Sequence, residues 1–125
     1  MVSEPRSLPG GATAREAGEL LTRPEVRAVF VVDGDQLTGV VTRKTLVSRV
    51  VAEGRDPELV PLAGIAEPPY YTIGPDVSLE DAFRFLEEHD AERVPVVEDG
   101  RLIGVLSRSV LQRRLAEDEE PPDAE

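Results

Sequence analysis

The chain has 125 residues, 40% of them apolar, which is enough to bury a compact core. It has no cysteine, which excludes a disulfide framework and a thiolate metal site. A net charge of −11 argues against general nucleic-acid binding, which needs cations to displace phosphate counterions.

Residues 1–6 read as a tail with no apolar stretch behind it, so no secretory signal is expected. A short extended segment around Leu8 follows. Thr13-Ala14-Arg15-Glu16 has the form of a capping box, and a helix is predicted to about Thr22, stopped by Pro24. Its apolar stripe is Ala14, Ala17, Gly18 and Leu21. Ala28–Val32 is a β-branched apolar run of strand length. Asp33-Gly34-Asp35 supplies a turn, and Gln36–Val41 returns as a second strand. Thr42 then opens a helix predicted to about Glu53, with Leu46, Val47, Val50 and Val51 apolar.

Residues 54–69 carry Pro57, Pro61, Pro68 and Pro69 and read as a linker with one helical turn around Leu62–Ala66. Beyond it, Tyr70–Ile73 is predicted as a short strand. Ser78-Leu79-Glu80-Asp81 caps a helix to about Glu88, with Leu79, Ala82, Phe83 and Leu86 on one face. Val94–Val97 and Leu102–Leu106 are predicted strands around a turn at Asp99-Gly100. A last helix is predicted from about Arg108 to Ala116. Residues 117–125 hold six acidic groups and no base, so this tail is expected to be disordered, either merely solvating or serving as a docking tail. No apolar run approaches a membrane span in length, and the expectation is a soluble, cytoplasmic chain without membrane or nucleic-acid partners.

The chain repeats itself, a property that governs architecture. Val94-Pro95-Val96-Val97 through Gly104-Val105-Leu106-Ser107-Arg108 to Leu111 aligns without a gap on Val29-Phe30-Val31-Val32 through Gly39-Val40-Val41-Thr42-Arg43 to Leu46. Each copy reads as strand, helix, strand, strand, helix.

That order of elements, with the Val-Pro-Val-Val strand, the acidic-Gly turn and the strand ending Gly-Val-Leu-Ser-Arg, resembles the cystathionine-β-synthase (CBS) domain. Two copies in tandem resemble a Bateman module. The resemblance implies an α/β fold of two pseudo-symmetric repeats, at residues 7–53 and 70–116, packed through their sheets. It also implies a regulatory ligand such as AMP, ADP, ATP or S-adenosylmethionine in the cleft between repeats, with no required cofactor.

In this family a Thr or Ser hydroxyl at a helix N-terminus contacts a ligand phosphate, where unpaired N–H groups and the helix dipole favour an anion. Thr42 and Ser107 stand at that position, and Arg43, Lys44 and Arg108 lie beside them. Cations at a helix N-terminus oppose the dipole, so helix stability does not explain them. The plain alternative is that both hydroxyls are N-caps. The family's ribose-binding Asp is replaced by Thr45 in the first copy and Val110 in the second. Tyr71, Thr72, Ile73, Arg93, Val94 and Pro95 would flank a purine in the second copy; Leu8, Ala28 and Val29 would do so in the first.

Two functions remain open from these residues. One is a sensor acting on another polypeptide; the other is a degenerate pair that binds no nucleotide and serves as a dimerisation or docking scaffold. Catalysis is not expected, because the one histidine, His89, has no nucleophile pattern or ligand cluster around it. Leu20 and Phe85 occupy equivalent positions off their helices' main stripes, which points to a second buried surface and a homodimer.

Overall fold

The computed structural model describes residues 6–69 and 71–118. Its elements are β1 (Ser7–Pro9), α1 (Ala14–Leu21), β2 (Val29–Asp33), β3 (Gln36–Val41), α2 (Arg43–Leu46), α3 (Leu79–Glu88), β4 (Arg93–Glu98), β5 (Arg101–Ser107) and α4 (Arg108–Asp118). The fold is mixed α/β, and the chain divides into two compact units, one for each repeat. Among the described residues the first holds 6–69 with the hairpin tip 99–102; the second holds 71–98 and 103–118.

In the first unit, α1 starts at the expected capping box. The Thr13 hydroxyl accepts from the Glu16 N–H, and the Glu16 carboxylate accepts from the Thr13 N–H. The helix buries Ala14, Ala17 and Leu21 against Val29 and Val31 of β2 and Val41 of β3. β1 pairs parallel with β2 in the register Leu8↔Val31, and β2 pairs antiparallel with β3. A register shift between Val31 and Val32 makes room for Thr38, whose hydroxyl donates to the Val31 carbonyl.

The segment read as a linker does more than connect. Val60, Leu62 and Ile65 are fully buried in this unit's core, and Glu67 pairs with Val40 in both directions of the main chain. Gly39 permits that approach: a Cβ there would lie 2.7 Å from the Cβ of Ala66. Its regular pieces are two short 3₁₀ turns, Pro57–Leu59 and Leu62–Gly64.

The helix expected over 42–53 is α-helical only from Arg43 to Leu46 and continues as a π-type turn over Val47–Val51. The Ala52 N–H reaches the Val47 carbonyl and the Arg55 N–H the Val50 carbonyl, both i to i+5. This wider turn is the usual form of a helical bulge.

In the second unit, α3 is capped by Ser78, whose hydroxyl accepts from the Asp81 N–H. Ala82 and Leu86 pack on Val94 and Val96 of β4, with Leu106 and Leu111 completing the core. β4 and β5 neighbour one another as a hairpin, and Asp99 and Gly100 at its turn both have positive φ, the conformation that a tight primed turn demands. The strand expected over 70–73 reduces to a single parallel bridge, Ile73↔Val96; Tyr70 itself lies outside the described residues. The cause is chemical. In the first unit the Arg6 carbonyl accepts from the Phe30 N–H. The equivalent pair here is Tyr71 and Pro95, and proline has no N–H to give.

Of the tail expected to be disordered from residue 117, residues 117 and 118 are the last of α4. Residues 119–125 lie outside the described residues.

Candidate functional site

In the first repeat the hydroxyl and the cation expected to meet a phosphate both have intramolecular partners. Thr42 is the N-cap of α2, and its hydroxyl accepts from the Thr45 N–H. Thr45 returns the bond through its own hydroxyl, which accepts from the Thr42 N–H at 3.0 Å. Thr45 is only 1% exposed, so its hydroxyl closes a reciprocal cap. The Arg43 guanidinium donates to three main-chain carbonyls: Nε to Leu21 at 2.9 Å, and Nη2 to Arg23 at 2.9 Å and Val26 at 3.0 Å. Leu21 is the last residue of α1, where unsatisfied carbonyls and the negative end of the dipole favour a cation. Arg43 thus serves the end of α1, which explains a cation that its own helix start does not.

The second repeat keeps the plan and loosens it. Ser107 is 8% exposed, and its hydroxyl accepts from the Val110 N–H at 3.3 Å. Val110 offers no side-chain hydrogen bond in return, so the cap is one-sided. The Arg108 N–H donates to the Glu92 carbonyl at 2.7 Å, which fixes the start of α4 beside the start of β4. Its guanidinium also faces the end of the preceding helix, but only at ion-pair range: Glu87 and Asp90 carboxylates each lie 4.0 Å away. The side chain stays 35% exposed. Such an exposed pairing holds an arginine weakly.

Arg93 opens β4, next to the Glu92–Arg108 contact. Its Nη1 is buried with no hydrogen-bond partner, and no ion pair to Arg93 occurs among the described residues. A buried guanidinium nitrogen left unpaired is costly. The first repeat has Ala28 at the equivalent place. The sequence placed Arg93 beside the purine; its unpaired charge is visible only once burial is known.

The purine-flanking residues of the second repeat do come together. The Ile73 N–H donates to the Pro95 carbonyl and the Val97 N–H to the Ile73 carbonyl. Ile73 and Val94 are buried in the core, so they can offer little beyond main chain and an apolar edge. Tyr71 turns its ring toward α3, at 6.0 Å from Phe85 and 4.3 Å from His89, with Phe85 and His89 4.4 Å apart. His89 is the exposed C-cap of α3. The off-stripe Phe85 therefore has neighbours within its own chain, as does Leu20 against the first core. By alignment with Phe30, whose N–H meets the Arg6 carbonyl, Pro95 would face the Tyr71 carbonyl, and it has no N–H to offer.

Comparison with known proteins decides the family. The CBS domain profile matches residues 1–52 and again 62–117. The chain belongs to the CBS domain family. CBS domain-containing protein YhcV of Bacillus subtilis is 28% identical over 107 residues, covering 86% of this chain and 76% of YhcV. Hypoxic response protein 1 of Mycobacterium tuberculosis is 31% identical over 85 residues, covering 68% of this chain and 59% of that protein. Among solved structures, the CBS domain protein PAE2072 of Pyrobaculum aerophilum, complexed with AMP, superposes with a TM-score of 0.72 at 27% identity. The match covers 94% of this chain and 95% of PAE2072. Among the described residues no helix is long and apolar enough to cross a membrane, and no cluster of potential metal ligands is present.

Proposed function

We propose that this CBS pair is a regulatory module that takes an adenine nucleotide or related anion at its second repeat, the first repeat being a structural half. The observation that carries this is the asymmetry of the arginines. Arg43 is engaged by three carbonyls, whereas Arg108 is held only by carboxylates at 4.0 Å and Arg93 Nη1 has no partner at all. A phosphate near Ser107 would give Arg93 a charge-assisted bond and draw Arg108 from its weak pairs. The Tyr71 carbonyl, lacking a strand donor, suits the exocyclic amine of a purine. The AMP complex of PAE2072 supports the ligand class. Binding would bias the loops around the site and act on a second polypeptide that reads them.

The scaffold reading applies to the first repeat, where Thr42, Arg43 and Thr45 already satisfy one another and α1. With neither repeat offering the family's Asp, recognition rests on the phosphate and the base, and the ribose hydroxyls go largely unread.

A thermal-shift series with AMP, ADP, ATP and S-adenosylmethionine tests the proposal. A ligand at a hundred times its Kd adds about 2.7 kcal/mol, a shift of several degrees. The shift should be lost in Arg93→Ala and in the pair Ser107→Ala with Arg108→Ala. If no ligand at millimolar concentration moves the wild type, the nucleotide proposal fails.

A further inference from the structure

In a chain with 25 acidic and 14 basic side chains, an exposed cation without a carboxylate beside it is unexpected. Arg15, Arg49, Arg55, Arg84, Arg101 and Arg108 each meet one. Among the described residues Arg6, Arg23, Arg27 and Lys44 have no ion pair, and all are exposed. Arg113 and Arg114, on α4, are the other exposed arginines without one.

Arg6, Arg23, Arg27 and Lys44 come from separate stretches of the first repeat, and the main chain gathers them at one end of its sheet. The Arg6 carbonyl accepts from the Phe30 N–H, and Val29 opposes Val41. The start of β1, the start of β2 and the end of β3 therefore lie side by side. The Arg43 guanidinium holds the carbonyls of Arg23 and Val26 beside the start of α2, where Lys44 stands. Glu25 lies between Arg23 and Arg27 in sequence, and Glu67 pairs with Val40 close by; both are exposed. The fold does not demand these cations, since the aligned residues of the second repeat are Tyr71, Glu88, Glu92 and Ser109. Helix stability does not explain Arg27, which precedes a strand, or Lys44, which opposes the dipole at the start of α2.

We propose that this end of the first repeat docks an acidic stretch of the polypeptide on which the module acts. The inference rests on the regulatory reading for the existence of that polypeptide, and no nucleotide enters it. A small anion gains little here. The Thr42 and Thr45 hydroxyls cap one another's main chain, and Arg43 is engaged by carbonyls, so the contacts on offer are exposed and separately weak. They add up only along an extended ligand that meets several together. Glu25 and Glu67 set the class of that ligand. A nucleic-acid backbone carries one sign of charge and is repelled by them, whereas a peptide combines carboxylates with donors that satisfy them. The net charge of −11 disfavours an acidic segment elsewhere on the chain and confines it to this end.

Fluorescence anisotropy with a labelled glutamate-rich peptide, and with its glutamine counterpart, tests the surface. The expected result is saturable binding of the acidic peptide alone, weakening as salt rises. Arg23→Glu with Arg27→Glu should raise the dissociation constant at least about tenfold, two contacts being reversed. Arg113→Glu with Arg114→Glu makes the same change in net charge on α4 and should leave binding nearly unchanged. All four side chains are exposed, so both proteins should melt close to the wild type. Equal losses in the two proteins reduce the effect to net charge and overturn the proposal, as does binding of neither peptide. Tighter binding of a single-stranded oligonucleotide overturns it in favour of nucleic acid. A concentration-dependent mass that Arg23→Glu with Arg27→Glu abolishes gives the surface to a second copy. Peptide binding seen only after removal of residues 119–125 gives it to this chain's own acidic end. Thermal shift with nucleotides reads the ligand proposal separately, so each can fail alone.

Discussion

At the scale of single residues, the aligned pair Arg43 and Arg108 shows one chemical device used at two strengths. Both reach from the start of a repeat's second helix to the end of its first. Arg43 meets carbonyls at hydrogen-bond distance, whereas Arg108 meets carboxylates at 4.0 Å. Hydrogen bonds from a charged donor contribute about 1.5–3 kcal/mol. Arg43→Ala should therefore lower unfolding stability by about that amount in urea. Lysine should not restore it, since a single ammonium cannot follow the planar fork. Arg108→Ala, losing only exposed ion pairs, should cost under about 1 kcal/mol. Equal losses at the two sites would remove the asymmetry on which the functional proposal stands. Gly39 makes a separate, steric prediction. A Cβ 2.7 Å from that of Ala66 and 3.2 Å from the Glu67 carbonyl forces a shift, and Gly39→Ala should destabilise by about 1–3 kcal/mol in the same assay.

At the scale of elements, most of the chain could be read in advance, because periodicity and capping chemistry are local. Ser78 and Thr13 set their helices, and Asp99-Gly100 set its hairpin, as their residue types dictate. What could not be read depended on partners distant in sequence. The proline-rich stretch 54–69 looked like a linker because its prolines break periodicity, yet Val60, Leu62 and Ile65 are core residues. Leu62→Ala should accordingly cost about 2–5 kcal/mol, the range for truncation in a core; a value under 1 kcal/mol would return the segment to the status of a connector. The shortened strand at Ile73 was legible in principle, since Pro95 announces a missing donor, but only after the pairing partner was known. The π-type turn at Val47–Val51 had no sequence signal that separates it from ordinary helix.

At the scale of the whole molecule, tandem repetition fixed the family, and the departures between repeats carry what is particular to this chain. The candidate site was half legible. Thr42, Ser107 and the adjacent arginines were visible as a pattern, whereas their intramolecular partners and the unpaired Arg93 nitrogen became apparent only from burial and distance. The family's Asp is missing at Val110, and its return makes a gain-of-function prediction. Val110→Asp should tighten a ribose-bearing nucleotide by about ten- to a hundredfold, the worth of about 1.5–3 kcal/mol from a charged hydrogen-bond acceptor. Titration calorimetry against AMP and its 2′,3′-dideoxy analogue separates that effect from a general change in affinity. Only the first should gain.

The central claim is that the second repeat alone holds the anion. Calorimetric titration of AMP into the Arg93→Ala and Arg43→Ala proteins tests it most directly. Binding should be abolished in Arg93→Ala, while Arg43→Ala, although less stable, should keep the wild-type affinity and one site per chain. Binding that survives Arg93→Ala and disappears in folded Arg43→Ala would place the anion at the first repeat and contradict it.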